Sequence, residues 1–167
     1  MSQAQVAKYV LSLRDAQDTF LGFVKLHYPD WKLADFQLEL IDVLDRLEKS
    51  QLDTDNLLMS CSYNSQLATD FGRQIRTVVE EKCMTQAFPD FGLSKDSRAV
   101  DVWRTDQGGA YFAVGVGGTT SGRPANLLIV DDPVKSREDA ESMTQRNKTW
   151  NYYTSALSTR LQPEGNG

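Results

Sequence analysis

The chain has 167 residues, enough for one domain with a hydrophobic core, and its 40% hydrophobic and 25% charged residues are ordinary for a soluble globular protein. No apolar run approaches the roughly 20 residues that span a bilayer, and the N-terminus lacks the pattern of a signal peptide, so we expect an intracellular protein without membrane contact. The formal net charge of −5 argues against a domain that grips DNA by itself, because such domains are usually basic.

The first third of the chain has a helical pattern. Apolar residues recur at helical spacing from about residue 4 to 27 and again from about 33 to 49, which predicts two amphipathic helices. Pro29 separates them. We therefore expect residues 1–52 to form an N-terminal helical segment and residues 53–167 to form an α/β core.

The chain offers few soft metal ligands. His27 is its only histidine, and Cys61 and Cys83 are its only cysteines. Two cysteines are too few to indicate a disulfide framework or a zinc site, so free thiols are the expectation. The position of His27 at a predicted helix end favours a structural role over a metal or nucleophilic site.

The next elements have the pattern of one arm of a βαβ unit. Residues 57–63 predict a buried strand, and Asn64 or Ser65 is suited to cap the amphipathic helix that follows. Residues 99–104 and 110–114 then predict two strands joined by turn residues, which indicates a β-hairpin.

A glycine-rich loop follows the hairpin at residues 115–123. Gly117 and Gly118 would let backbone N–H groups approach a phosphate, and Arg123 would add positive charge. The loop lacks the Lys-Ser/Thr pair of a P-loop, so by itself it is a weak signal.

The apolar stretch Leu127–Val130 ends in Asp131 and Asp132. Its branched side chains predict a strand buried on both faces, and in open α/β sheets ligands bind beyond the carboxyl ends of the strands. One carboxylate can hold a hard cation such as Mg²⁺ while the other orients or deprotonates a water. The alternative is a buried strand followed by a loop, with aspartate as a turn former and Pro133 as a stop.

The last predicted element is a long helix from about Ser136, which has capping-box-like spacing to Asp139, to Pro163. Aromatic residues at 150, 152 and 153 favour packing over base stacking.

Taken together, these segments resemble the ATPase domain of the large terminase subunit of tailed bacteriophages, the motor that packages viral DNA. The blocks that carry the resemblance are Ser62–Arg73 (SYNSQLATDFGR), Gly117–Arg123 (GGTTSGR) leading into Leu127–Lys135 (LLIVDDPVK), and Trp150–Leu161 (WNYYTSALSTRL).

The resemblance implies a partial P-loop NTPase-like fold, with a mostly parallel sheet, flanking helices and a β-hairpin insertion. Asp131 would hold the Mg²⁺ of Mg-ATP in a Walker B motif, and Asp132 would take the place of the catalytic carboxylate, which is glutamate in many members. The implied partners are the small terminase subunit, the portal protein and double-stranded DNA, in the cytoplasm of the bacterial host.

The chain departs from the family in two ways. No Walker A sequence Gly-Lys-Ser/Thr occurs in it, and the six residues Leu57–Ser62 leave no room for the missing βαβ unit of about 30 residues. It also stops before the expected coupling motif and nuclease domain. We therefore expect an internally deleted and truncated terminase, such as a prophage remnant, that binds ATP poorly and lacks ATPase activity.

Two alternatives remain open from the sequence. One is a non-catalytic interaction protein that binds other packaging components. The other is a metal-dependent phosphoesterase that uses Asp131 and Asp132, which would need further carboxylates near them.

Overall fold

The structure, a computed structural model, describes residues 2–30, 32, 57–96 and 99–161. Contacts divide the chain into two units, Met1–Thr54 with Val79–Phe91, and Asp55–Val78 with Gly92–Gly167. The predicted helix over residues 33–49 lies outside the described residues. The helices and strands, in chain order, are α1 (Gln3–Asp18), α2 (Phe20–His27), β1 (Leu57–Ser62), α3 (Ser65–Glu80), α4 (Lys82–Ala87), β2 (Val102–Arg104), β3 (Ala110–Gly115), β4 (Leu127–Val130), α5 (Arg137–Glu141) and α6 (Met143–Tyr152).

The first unit contains α1, α2 and α4. The prediction of one helix over residues 4–27 is wrong, because Thr19 is extended (φ −145°, ψ 143°) and starts a new helix. Its hydroxyl accepts a hydrogen bond from the Gly22 N–H at 2.9 Å. A Cβ at Gly22 would overlap the Asp15 carbonyl, so glycine allows α2 to pack closely against the end of α1.

The second unit is built on a four-stranded mixed sheet in the order β2-β3-β1-β4. Strand β1 runs parallel to both β3 and β4, and β2 runs antiparallel to β3. The α/β class and the β2–β3 hairpin are therefore confirmed. The central strands bring Met59 opposite Phe112 on one side and Leu128 on the other.

Strand β3 lies at the centre of the core, and all six of its residues are buried. Successive side chains point to opposite faces of a strand, and the buried residues accordingly form two clusters. One cluster consists of Met59, Cys61, Ala110, Phe112, Val114, Ala125 and Leu157. The other consists of Ala68, Trp103, Tyr111 and Ala113.

Helix α3 covers the second of these faces through a close contact with Tyr111. A Cβ at Gly72 would overlap the Tyr111 ring, so the absence of a side chain allows the helix to approach the sheet. The Tyr111 hydroxyl donates a hydrogen bond to the Ala68 carbonyl at 2.8 Å. Trp103 stacks on the same ring at 5.2 Å between centroids.

Strand β4 is not buried on both faces, so that prediction is wrong. Leu127, Ile129 and Val130 are 37%, 42% and 38% exposed, and only Leu128 packs against the core. The physical reason is strand order, which places β4 at the edge of the sheet with β1 on one side. Within the described residues no strand pairs with its other side.

The predicted long helix after β4 is interrupted at Ser142, which has φ −74° and ψ 115° and caps α6. The expected cap at Ser136 is confirmed, since its hydroxyl accepts from the Asp139 N–H at 3.2 Å. The helix ends in a π-helical turn, Tyr153–Leu157, and a 3-10 turn, Ser158–Arg160.

The aromatic residues of this helix do not share one environment. Tyr152 packs against the core cluster around Met59, as expected. Trp150 is 62% exposed, so the prediction that it packs is wrong. No helix among the described residues has the length and apolar content needed to cross a membrane.

Candidate functional site

The candidate site lies at the carboxyl ends of the three parallel strands. Because these strands run in the same direction, residues that follow each of them meet at one edge of the sheet. Strand β1 brings Ser62 and Tyr63 to this edge, β3 brings Gly115, and β4 brings Asp131 and Asp132. Asp131 and Asp132 are therefore placed together where the sequence predicted them.

Hydrogen bonds to β1 fix the backbone of the acidic pair. The Asp131 N–H donates to the Cys61 carbonyl at 2.9 Å, and the Tyr63 N–H donates to the Asp132 carbonyl at 2.9 Å. The Ser62 hydroxyl donates to the same Asp132 carbonyl at 3.3 Å. Both aspartates are exposed, so a fixed backbone presents two accessible carboxylates.

Asp132 has an unusual backbone conformation. Its φ is +44°, the only positive φ of a non-glycine residue among those described. Aspartate tolerates the left-handed region better than most residues because its short side chain can hydrogen-bond locally. Such a conformation still costs on the order of 1 kcal/mol and is found frequently at functional sites.

The glycine-rich loop is divided between the two ends of the sheet. Gly117 and Gly118 lie just beyond β3, at the same edge as the acidic pair. Arg123 lines a different cleft together with Leu57, the first residue of β1, and its guanidinium lies 5.4 Å from the Phe112 ring centroid. The structure therefore does not bring Arg123 to the acidic pair.

The loop donors that a phosphate would need are partly used within the fold. The Gly118 N–H donates to the Gly115 carbonyl at 2.8 Å, and the Val116 N–H donates to the Ser62 carbonyl at 2.9 Å. The Tyr152 hydroxyl, at the end of α6, donates a hydrogen bond to the Gly118 carbonyl at 2.8 Å and so links the loop to this helix. This geometry does not match the open ring of N–H groups in a phosphate-binding loop.

A cleft of about 330 Å³ opens beside the acidic pair, between the strand ends and α6. Tyr63 and Asn64 line it from the end of β1, and Lys135 and Lys148 line it from the segment after β4 and from α6. Asn64 also caps α3 by accepting from the Leu67 N–H at 2.8 Å. The sequence reasoning missed both lysines.

The signals for the two lysines were of different kinds. Lys135 lies three residues after Asp132, so the sequence already indicated that it is close to the acidic pair. Lys148 lies on α6 and reaches the cleft only through tertiary packing, so no local pattern marked it.

Two groups near this edge have altered acidity. Burial raises the pKa of the Cys61 thiol to about 11. Burial, and to a lesser extent Cys61, raises the pKa of Tyr152. Both groups therefore remain protonated and neutral at pH 7, and the hydroxyl of Tyr152 remains a hydrogen-bond donor to the loop.

The edge suits a hard cation better than it suits a triphosphate. Two exposed carboxylates supply the oxygen ligands that Mg²⁺ prefers. The N–H groups of Val116 and Gly118 in the loop are already hydrogen-bonded, and the sequence has no Gly-Lys-Ser/Thr. The ligand type at this edge therefore matches Mg²⁺ better than it matches the phosphates of ATP.

Comparison with protein-family models, with curated proteins and with solved structures gives no match for this chain. Any functional assignment must therefore come from the residues of the site and the motifs around it.

Proposed function

We propose that the chain is a catalytically incompetent form of the ATPase core of a phage terminase large subunit, the DNA-packaging motor. In this proposal Asp131 binds Mg²⁺ weakly, and Asp132 occupies the position of a catalytic carboxylate without a triphosphate to act on. Its partners, as the resemblance implies, are the small terminase subunit, the portal protein and double-stranded DNA.

The observation that carries the proposal is the placement of Asp131 and Asp132 at the end of a parallel strand. Their backbone is tied to the end of β1, which continues through Tyr63 and Asn64 into α3. In open α/β sheets this edge binds ligands. The Walker B assignment rests on this placement together with the three blocks of terminase resemblance.

The absence of catalysis follows from the residues around the pair. Phosphoryl transfer depends on positioning the phosphates and neutralising their charge. The N–H groups of Val116 and Gly118 already hydrogen-bond within the fold, and Arg123 lines a cleft at the start of β1. Lys135 and Lys148 supply charge in the neighbouring cleft but no ring of backbone donors.

A phosphoesterase is less well supported by the geometry. Such an enzyme would need further ligands beside Asp131 and Asp132. Among the residues that the structure describes, no third aspartate, glutamate, histidine or cysteine is close enough to form a three-residue cluster with them.

The proposal is tested first by Mn²⁺ binding, measured by electron paramagnetic resonance with Mn²⁺ as a substitute for Mg²⁺. We expect weak binding that Asp131→Asn removes. The matched control is Asp101→Asn, which changes another exposed aspartate, next to β2. Binding that survives Asp131→Asn, or that is lost equally in the control, would overturn the assignment of Asp131.

A steady-state ATPase assay tests the second part of the proposal. We expect no Mg²⁺-dependent turnover from the isolated chain. Turnover that disappears in Asp132→Ala would show that the site is catalytically competent and would refute the proposed loss of activity.

The second candidate function is that of an interaction protein without a role for the acidic pair. The outer edge of β4, with which no strand of the described residues pairs, favours it, because exposed strand edges pair readily with other chains. Ala125, just before β4, already pairs in parallel with Leu161. Size-exclusion chromatography of mixtures with the small subunit and portal protein of the same phage genome tests this function, and a chain that elutes alone in every mixture contradicts it.

A further inference from the structure

A second group of potential metal ligands lies in the first unit, at the carboxyl end of α2 and the start of α4. His27 is the last residue of α2, Glu81 precedes α4, and Cys83 lies in its first turn. One ligand atom from each of these residues lies within 4.8 Å of the others. His27 is distant in sequence from Glu81 and Cys83, and the fold brings it to them.

The distances within this group are close to those of a metal site. His27 Nδ1 lies 3.1 Å from Glu81 Oε2, and Cys83 Sγ lies 3.7 Å from the same oxygen. Tetrahedral Zn²⁺ with ordinary bond lengths would separate its ligand atoms by roughly 3.4–3.6 Å. Only small side-chain movements are needed to reach that geometry.

The environment of His27 is an independent indication that this group binds a ligand. Its side chain is 8% exposed, yet among the described residues Nδ1 makes no hydrogen bond, although Glu81 Oε2 lies 3.1 Å away. An unpaired buried polar atom costs about 1–3 kcal/mol. The ring is held in place by Phe23, at 6.3 Å between centroids, and by Tyr28, at 4.2 Å.

We propose that His27, Glu81 and Cys83 form a Zn²⁺ site that links α2 to α4. A nitrogen, an oxygen and a sulfur ligand together favour a borderline cation such as Zn²⁺ over the hard cations Mg²⁺ and Ca²⁺. These three residues leave a fourth coordination position for water or another ligand, as in zinc sites whose metal remains accessible. Bound Zn²⁺ would also satisfy Nδ1 of His27.

The test is a titration of the purified full chain with Co²⁺, followed by its displacement with Zn²⁺. We expect one equivalent of Co²⁺ to give a thiolate-to-cobalt charge-transfer band in the near ultraviolet. Cys83→Ser should abolish the band and weaken Zn²⁺ binding by at least about 100-fold, more than the loss of an outer-shell partner costs. Cys61→Ala is the control that must retain the band.

Two further variants keep the proposal falsifiable if Cys83→Ser does not fold. Glu81→Gln changes a half-exposed side chain and should weaken Zn²⁺ binding, whereas Glu80→Gln, at the neighbouring position, should not. Zn²⁺ should also raise the melting temperature of the wild-type chain but not that of Glu81→Gln, because a ligand bound only by the native state stabilises it. Absence of the cobalt band in the wild-type chain, its survival in Cys83→Ser, or equal effects of the two glutamine variants would overturn the proposal.

Discussion

Strands β3 and β4 are both short, apolar and parallel to β1, yet only β3 is buried. β3 has a strand on each side and a cluster of core residues on each face. β4 has β1 on one side, and three of its four side chains are more than a third exposed. The comparison shows that apolar composition selects a strand, whereas position in the sheet decides its burial. The exposed strand is the one that carries the acidic pair.

The largest expected effect is the difference in unfolding free energy between a substitution in β3 and one in β4. Tyr111→Ala on β3 should lower the free energy of unfolding by about 3–5 kcal/mol, since it empties a core position. Ile129→Ala on β4 should cost about 1 kcal/mol or less, because surface substitutions have small effects. Urea unfolding of both variants measures the difference.

Tyr111→Phe is the control for the hydroxyl, which donates to Ala68, and should cost only about 1 kcal/mol. An Ile129→Ala variant as unstable as Tyr111→Ala would mean that β4 is covered in solution. That result would contradict the difference in burial between β3 and β4.

The next effect concerns Cys61 on β1, the strand between the two. Its thiol pKa is raised from 9.0 to about 11 by burial. Because the native state holds this proton more tightly than the unfolded state, the resulting stability is present below about pH 9 and is lost as the pH rises towards 11. At about 1.4 kcal/mol per pKa unit, the loss approaches 3 kcal/mol.

Chemical denaturation between pH 8 and 11 measures this loss, with Cys61→Ala as the matched variant. Burial also raises the pKa values of Tyr111 and Tyr152, so both proteins lose stability at high pH. Only the difference between their profiles reports the thiol. Parallel profiles would contradict the assignment to Cys61.

The sequence predicted elements well where the signal was local. Alternating and apolar runs located β1, β3 and β4, and turn residues located the β2–β3 hairpin. Ser136 was identified as a cap, and Asn64 was one of two candidates, because capping depends on residues three positions apart. The carboxyl end of β4 was likewise visible as an apolar run that ends in two aspartates.

The sequence failed where tertiary context decides. Helix periodicity continued through Thr19 and Ser142, and both residues cap new helices instead. Strand order, which left β4 exposed, is not encoded in any short pattern. The fold brings Lys148 to the cleft and His27 close to Cys83. Because these residues are far in sequence from those they approach, no local sequence pattern indicates either arrangement.

A smaller effect tests the backbone of the acidic pair at the end of β4. Asp132→Gly should be more stable than Asp132→Ala by about 1 kcal/mol, since glycine adopts a positive φ without the Cβ penalty. Asp131 provides the matched control. Its φ is not positive, so Asp131→Gly should be less stable than Asp131→Ala.

Urea midpoints of the four variants measure both differences. The opposite order at the two neighbouring positions is the expected result. The same order at both would show that Asp132 does not hold the left-handed conformation in solution.

The smallest effect on stability is expected for Ile129→Lys. This variant also tests most directly the side of β4 with which no described strand pairs. A lysine on an edge strand deters pairing with other chains, and Ile129 is already exposed, so stability should change by no more than about 0.5 kcal/mol. Association with packaging proteins, or of the chain with itself, should fall if it uses the β4 edge. Analytical ultracentrifugation measures this association, and Val100→Lys is a similarly exposed control outside β4. An equal loss of association in both variants would show that general surface charge, and not the edge of β4, controls assembly.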